Sequence, residues 1–289
     1  MPASTCSFST MPYRLLALDI DGTLVTDDRV VTERTVTAIG LAVKKGVWVT
    51  LCTGRSISTS RPVAEQVQLN APLILNGGAL LYDISHSQPL YACNLEKTLA
   101  LEAVYHLRAV QCHPIVYSPL PDCRYFYYDH PNRENVAFLE YLRRNPERAC
   151  LIPDVTAALR EDAAYIVVTD RNERIRSLAP ALEECLREMR ITLEVSPINR
   201  EYCHLTVAPY GISKGSGLRM LAHRLGISLC DTIAVGDNLN DLDLLDTAGL
   251  GVAMGNAVPE TKAHANYVTA SNNEDGVAEV IERFILNEE

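Results

Sequence analysis

The chain has 289 residues, of which 47% are hydrophobic and 21% charged, a composition that is typical of a folded globular protein and excludes a disordered or fibrous one. The length favours one large or two medium domains. A formal net charge of −10 argues against nucleic acid as the main partner, because such binding depends on Lys and Arg contacts to phosphates. No apolar run approaches the ~20 residues of a membrane span, so a membrane partner is not expected either.

The nine cysteines are scattered and include no C-x-x-C pair. This pattern favours a reducing compartment, and we therefore expect a cytoplasmic protein. The first residues lack the basic and apolar regions of a secretory signal, and residues 1–10 are predicted to be a loose N-terminal extension.

The first part of the chain alternates short apolar runs with helical patterns, which is typical of parallel strands buried on both faces. Strands are predicted over residues 14–20, 47–52 and 72–76. The first helix is predicted to follow Thr32, a capping residue, and to end at Gly46, and the second to extend to Gln68. The last part repeats the pattern, with strands over 231–236, 249–253 and 267–269 and helices over 240–248 and 275–286. Crossovers of this kind build an α/β fold with a Rossmann-like parallel sheet.

The middle of the chain differs, because its strand-like pieces are shorter and contain most of the tyrosines. They are predicted over residues 114–117, 125–128, 165–169, 192–196 and 204–207. Two amphipathic helices, over 95–110 and 174–190, would cover one face of an antiparallel sheet. The sequence therefore predicts an α+β domain, residues 86–207, inserted into an α/β core formed by residues 11–85 and 208–289.

Ligands of parallel sheets bind beyond the carboxyl ends of the strands, so the residues that follow each run carry the chemistry. Four aspartates occur there, namely Asp19, Asp21, Asp237 and Asp241. Gathered at one edge they would repel one another unless a hard cation lay between them, and Mg²⁺ suits such oxygen ligands. Asp19 and Asp237 are the expected direct ligands, and the ion would orient and neutralise a substrate phosphate.

Asp19 and Asp21 form a D-x-D pair followed by Gly22, where the chain can turn. One carboxylate could then act as nucleophile and the other as acid and base, splitting a hydrolysis into two steps. Two aspartates at a strand end are more often solvated turn residues. The complete D-x-D-G-T-L string after an apolar strand is much more specific.

Two further positions indicate phosphate binding. Thr53 and Gly54 follow a strand and precede a helix, where a hydroxyl and free N–H groups can bind phosphate oxygens, although a simple helix cap is an alternative. Lys214 stands at a predicted helix start, against the preference of the helix dipole, which is understandable if an anion lies nearby. A solvated surface lysine is the alternative.

These pieces, in this order, resemble the four motifs of the haloacid dehalogenase (HAD) superfamily of phosphatases. The motifs correspond to Asp19–Leu24, Thr53, Lys214 and Gly236–Asp241. Residues 245–256, LDTAGLGVAMGN, and 273–278, NEDGVA, are similar to the Cof-type branch with the C2B type of cap, called HAD-IIB. The resemblance covers nearly all of both core segments, whereas the insertion matches in length and position.

The resemblance implies a Mg²⁺-dependent phosphohydrolase in which Asp19 is the nucleophile, passing through a phospho-aspartate, and Asp21 is the general acid and base. Asp19, the Asp21 carbonyl and Asp237 would hold the metal, with Asp241 supporting it through water. Lys214 would offset charge on the transferring phosphoryl group, which Thr53 and Asn240 would also contact. Weaker expectations of phosphate or substrate contact concern Gly54, Arg55 and Asn76.

The insertion would act as a cap that excludes water and selects the leaving group. Its candidate contacts, which could equally be ordinary sheet-face residues, are Tyr117, Arg124, Tyr127 and His204. The implied substrate is a small phosphorylated metabolite, such as a sugar phosphate; a phosphomutase or an inactive phosphate-binding module are alternatives. One departure from the family pattern is Cys52, where alanine is usual. We expect it to pack in the strand; the alternative is a thiol that is oxidisable because it lies near the site.

Overall fold

The computed structural model describes residues 13–131, 133–196 and 199–286, so the predicted extension 1–10 lies outside the described residues. The strands are β1 (Leu15–Leu18), β2 (Trp48–Leu51), β3 (Leu73–Leu75), β4 (Leu80–Asp83), β5 (Gln88–Ala92), β6 (Ile115–Tyr117), β7 (Phe126–Tyr128), β8 (Ala149–Leu151), β9 (Ile166–Arg171), β10 (Met189–Val195), β11 (Tyr202–Pro209), β12 (Thr232–Gly236), β13 (Leu250–Ala253) and β14 (Tyr267–Val268). The α-helices are α1 (Glu33–Lys44), α2 (Ile57–Ala64), α3 (Lys97–Ala109), α4 (Val136–Arg144), α5 (Asn172–Cys185), α6 (Lys214–Leu225), α7 (Leu242–Thr247), α8 (Pro259–His264) and α9 (Gly276–Ile281). In this part of the chain, no helix has the length and apolar character to cross a membrane.

The first sheet is parallel and has five strands, in the order β14-β13-β12-β1-β2. All residues of β1 are buried, because β1 pairs with β12 on one side and β2 on the other and helices cover both faces. A parallel bridge between Cys52 and Ile74 joins this sheet to the antiparallel strands β3, β4 and β5. The predicted α/β fold with a parallel-sheet core is confirmed.

Local chemistry sets the helix boundaries. The Thr32 hydroxyl accepts a hydrogen bond from the Thr35 N–H and caps α1, as predicted. The second helix ends at Ala64, before the predicted Gln68. Beyond it, the Asn70 side chain accepts from the Val49 N–H and donates to the Val47 carbonyl, which turns the chain back to the sheet.

A second sheet has the order β10-β11-β9-β6-β7-β8. Its pairings are antiparallel as predicted, except that β7 and β8 are parallel. This exception arises because α4 connects those two strands, and a crossover helix brings the chain back in the same direction. The sequence analysis missed both α4 and β8, although Asn135 caps α4 by accepting from the Phe138 N–H.

The two faces of the second sheet have different environments. Residues Ile166, Val168, Leu205 and Val207 are buried with residues of α3 and α5. The alternate residues of the same strands point to the opposite face, as the two-residue period of a strand requires. That face is half-buried and lines a cavity shared with the carboxyl ends of the parallel strands.

The turn after β3 lies against the segment that leads from β11 into α6. Gly78, with φ of +98°, lies so close to the end of this segment that a Cβ there would be 2.0 Å from the Ser213 carbonyl oxygen. The first predicted domain boundary, between residues 85 and 86, lies between β4 and β5. The second, between residues 207 and 208, lies within β11. Glycine at position 78 is therefore required by both its conformation and its contact.

Candidate active site

Three buried aspartates meet where β1 and β12 end. Asp19 follows β1 and Asp237 follows β12, and the two strands pair in parallel, so both carboxylates reach the same edge. Asp241, in the short helix after β12, completes the group. Each residue offers an oxygen, and these oxygens lie within 4.8 Å of one another, a spacing at which one cation could contact all three.

Lys214 is the cation of this cluster. It is the first residue of α6, and its Nζ lies 2.6 Å from Asp19 Oδ1 and 2.6 Å from Asp241 Oδ1. The Lys214 side chain is only 2% exposed. A charge so buried requires charged partners, and the two aspartates supply them. They also explain why a lysine begins a helix, and the expected nearby anions are therefore present.

The electrostatics of the cluster favour a further cation. Burial raises the pKa of Asp19 to about 7, although Lys214 opposes the shift. Burial, together with the charges of Asp241 and Asp19, raises the pKa of Asp237 well above its ordinary range. One lysine therefore does not neutralise the three carboxylates, and their oxygens suit a hard divalent cation.

Close packing fixes the orientation of these aspartates. Gly22 has φ of +74°, and a Cβ at this position would be 2.5 Å from Asp237 Oδ2, which makes glycine necessary at this turn. Asp241 Oδ2 accepts hydrogen bonds of 3.0 Å from the N–H groups of Asp237 and Asn238. The carboxylates are thus positioned by the backbone before any ligand arrives.

Asp21 lies beside this cluster with its side chain directed elsewhere. Arg55 donates to it through both guanidinium edges, with Nη2 2.5 Å from Oδ1 and Nε 2.6 Å from Oδ2. Both side chains are half-buried and line the cavity that also contains Asp19. A bidentate contact of this kind fixes the plane of a carboxylate. Arg55 therefore orients Asp21 at the edge of the cavity.

Most of the site residues that were predicted from the sequence line one cavity, which has a volume of about 950 Å³. The predicted residues that line it are Asp19, Asp21, Thr53, Gly54, Arg55, Asn76, Lys214 and Asn240. Asp237 and Asp241 do not line it. Thr53 is not a helix cap, because Ser56 occupies the cap position of α2. The side-chain oxygens Oδ1 of Asn76 and Asn240 are buried and have no hydrogen-bond partner within the described residues, so they are available to a ligand.

The second sheet supplies the opposite wall. Of the four candidate cap residues, Tyr117 and His204 line the cavity, whereas Arg124 and Tyr127 do not. Arg124 packs over the Tyr125 ring instead, 5.2 Å from its centroid. The sequence analysis missed Glu194, which lines the cavity from β10. Arg190, Thr192 and Glu194 are every second residue of β10, so they share one face of the strand, and this spacing could have indicated Glu194 from the sequence.

Cys52 does not have the properties of an oxidisable thiol. It is fully buried, and its Sγ donates to the Lys214 carbonyl at 3.7 Å. Burial raises the pKa of the thiol strongly, so the reactive thiolate is not formed. This burial beneath α6 agrees with the expected packing role of Cys52 and argues against the alternative of an oxidisable thiol.

Comparison with known proteins identifies the family. A model of the haloacid dehalogenase-like hydrolases matches residues 16–281. The chain is 30% identical over 273 residues to the 5-amino-6-(5-phospho-D-ribitylamino)uracil phosphatase YcsE of Bacillus subtilis, covering 94% of this chain and 96% of that protein. It is 28% identical to the pyridoxal phosphate phosphatase YbhA of Escherichia coli, covering 94% and 98%. The structure of the subclass IIB sugar phosphatase BT4131 has a TM-score of 0.74 at 22% identity, covering 94% of this chain and 98% of that one.

The chain belongs to the haloacid dehalogenase superfamily and is an enzyme of the phosphatase type. Within the superfamily it is a Cof-type phosphatase of subclass IIB, as its motifs predicted.

Proposed function

We propose that this enzyme is a Mg²⁺-dependent phosphohydrolase that releases phosphate from small phosphorylated metabolites through a phospho-aspartate at Asp19. The observation that carries the proposal is the position of Asp19, which is bound to Lys214 and grouped with Asp237 and Asp241 beside a cavity. An exposed pair of aspartates would not need such a buried counter-charge.

The metal would be held by the carboxylates of Asp19 and Asp237 and by the Asp21 carbonyl, with Asp241 supporting them. When bound, Mg²⁺ supplies positive charge that neutralises the oxygens of a phosphate ester. The three clustered carboxylates fit this ion, and burial raises the pKa values of Asp19 and Asp237, which would be ionised more readily beside a cation.

In the first step the Asp19 carboxylate attacks phosphorus and forms an O–P bond, while the bond from phosphorus to the leaving oxygen breaks. Asp21 gives its proton to that oxygen. In the second step Asp21 takes a proton from water, whose oxygen attacks phosphorus and displaces the Asp19 carboxylate as inorganic phosphate leaves. Arg55 keeps Asp21 oriented for both transfers, and Lys214 offsets the charge that builds on the phosphoryl oxygens.

The phosphoryl oxygens would bind the Thr53 hydroxyl, the Gly54 backbone and the side chains of Asn76 and Asn240. The Nδ2 groups of Asn76 and Asn240 would donate these hydrogen bonds, because phosphoryl oxygens only accept. Their Oδ1 atoms, which have no partner in the described structure, would accept from a donor on the substrate or from water. These contacts come from three different loops, so they fix the phosphate in line with Asp19.

Residues 86–207 would form a cap over a core of residues 11–85 and 208–289. The relatives named above act on phosphate esters of small molecules, namely a ribitylaminouracil, pyridoxal and a sugar. Together with the enclosed cavity and the net charge of −10, they support a small metabolite, such as a sugar phosphate, and a cytoplasmic location rather than nucleic acid or membrane binding.

The test is phosphate release from a panel of phosphorylated metabolites with Mg²⁺. Asp19→Asn keeps the shape of the side chain but loses its nucleophilic charge, so release should fall at least about a thousandfold. Asp28→Asn, the same change at an exposed site, is the matched control and should behave as wild type. Normal activity in Asp19→Asn would disprove the mechanism. Release that required a sugar bisphosphate activator would indicate a phosphomutase.

A further inference from the structure

Among the described residues, Glu194 is the one acidic residue of the strands of the second sheet that lines the cavity. It lies on β10, opposite His204 on β11, on the face that lines the cavity. Within the described part of the chain, its carboxylate has no hydrogen-bond or ion-pair partner. The other acids along the same sheet are paired, as Glu201 is with Arg171 and Asp170 with Arg174. A half-buried carboxylate without a partner is available to bind a ligand.

The position of Glu194 is fixed from the parallel-sheet side. The Asn238 side chain accepts from the Val195 N–H at 2.9 Å and donates to the Val195 carbonyl at 2.9 Å, as a neighbouring strand would. Asn238 stands next to Asp237, in the loop that also contains Asn240. The residue after Glu194 is therefore bound to the loop of the proposed phosphate site, and the carboxylate keeps a defined position relative to it.

The neighbours of Glu194 on β11 and β9 that face the cavity are polar and uncharged, whereas the charges of Lys214, Asp19 and Asp21 act on it from the other side of the site. His204 Nδ1 lies 2.8 Å from the Thr169 hydroxyl, and Thr192 and Thr206 line the cavity on the same face. Burial lowers the pKa of His204 to about 4, so its ring is neutral at neutral pH. Hydroxyl groups and a neutral imidazole match a leaving group that donates and accepts hydrogen bonds without charge. Burial raises the pKa of Glu194 to about 8, so at neutral pH the side chain is mostly a protonated carboxyl, which can accept a hydrogen bond from a hydroxyl group and donate one.

We propose that Glu194 determines specificity by accepting hydrogen bonds from hydroxyl groups of the leaving group, so that polyol and sugar phosphates are preferred to esters without aliphatic hydroxyls. This inference rests on the proposed function, because it concerns the leaving group of that reaction. In this proposal Glu194 contacts the leaving group and not the phosphate, so the chemical step at Asp19 does not require Glu194.

The experiment compares D-glucose 6-phosphate and D-ribose 5-phosphate with p-nitrophenyl phosphate, which has no aliphatic hydroxyl. In Glu194→Ala, kcat/KM for the sugar phosphates should fall about 10- to 100-fold, mainly through KM, as expected for the loss of one or two buried hydrogen bonds to the leaving group. Hydrolysis of p-nitrophenyl phosphate should change by less than about threefold, since its leaving group makes no such bond. Glu194→Gln keeps one acceptor oxygen, so its kcat/KM for the sugar phosphates should lie between the values of the wild type and of Glu194→Ala.

The control is Glu201→Ala, which makes the same change at a side chain that is 69% exposed, just before β11 and outside the cavity lining. It should leave both substrate classes unchanged. An equal fall for both classes in Glu194→Ala, or no fall for the sugar phosphates, would overturn the inference while the phosphatase proposal stood. Activity retained by Asp19→Asn would instead overturn the proposed mechanism, and a wild type that released phosphate from none of the three compounds would contradict both proposals.

Discussion

The ammonium group of Lys214 bridges Asp19 and Asp241 inside the protein, at 2.6 Å from each. Lys214→Met should therefore leave two buried carboxylates without a counter-charge. In the absence of metal we expect a loss of about 3–5 kcal/mol in the free energy of unfolding, measured by urea denaturation. Phosphatase activity should fall at least about a hundredfold, because charge on the transferring group is no longer offset.

Lys44→Met, at an exposed position in the last turn of α1, is the matched control and should retain both stability and activity. A Lys214→Met protein as stable as wild type would contradict the assignment of Lys214 as the counter-charge of the cluster.

The paired hydrogen bonds between Asn238 and Val195 predict an energetic coupling with Glu194. Asn238→Ala should reduce the preference for sugar phosphates over p-nitrophenyl phosphate in the same direction as Glu194→Ala, because the carboxylate loses its fixed position. The double variant should lose less than the sum of the two single effects in free energy. A double-mutant cycle on kcat/KM for D-glucose 6-phosphate measures this difference. Strict additivity would show that Asn238 does not position Glu194.

The role of Asp21 can be separated into its two steps with a substrate whose leaving group needs no proton. With p-nitrophenyl phosphate, Asp21→Asn should still form the phospho-enzyme, but its breakdown should slow about 100-fold or more, because no base activates water. Rapid mixing should then show a burst of nitrophenolate equal to the enzyme concentration. Acid quenching and intact-mass analysis should detect the added phosphate. Undiminished steady-state hydrolysis would remove Asp21 from this role.

Stability in the absence of metal should depend on pH through Asp19. Its pKa is about 7 in the folded protein but about 3.9 in an unfolded chain, so between these values the folded state holds a proton that the unfolded state has released. The contribution of Asp19 to stability is therefore full below about pH 4 and is lost as the pH rises to about 7.

Mg²⁺ binds the ionised carboxylates, so protons compete with it at low pH. We expect MgCl₂ to raise Tm more at pH 8 than at pH 5.5, and EDTA to abolish the difference. In Asp19→Asn the pH dependence of the Mg²⁺ effect should be smaller, as differential scanning calorimetry can measure. An equal shift of Tm at both pH values would contradict a carboxylate metal site.

The parallel sheet and most of the proposed site could be predicted from the sequence because their signals are local. A strand such as β1, buried on both faces, must be a continuous apolar run, and the residue after it must lie at the ligand-binding edge. Lys214 was also predictable, since a cation at a helix start conflicts with the helix dipole unless anions are near. Each of these inferences needed only a short stretch of sequence.

The remaining features depend on which distant segments meet. Nothing local distinguishes Glu194 from an exposed strand residue until its face is known, and the pairing of Asn238 with Val195 joins two parts of the fold that no periodicity relates. The parallel pairing of β7 and β8 likewise follows from α4, which the sequence analysis missed. For Cys52, the choice between a packing role and an oxidisable thiol likewise depended on the packing of α6 above it.

The contact between Gly78 and Ser213 brings together two positions that flank a long intervening segment, which includes the proposed insertion 86–207. A segment whose ends already touch can be shortened, lengthened or replaced without altering the distance that the rest of the fold must span, and each doubling of a flexible loop costs only about 0.6 kcal/mol in closure entropy. Exchange of this segment between related enzymes should therefore be tolerated more readily than exchange of any piece of the parallel sheet. Evolution could in this way replace the part that recognises the alcohol while inheriting the part that breaks the ester.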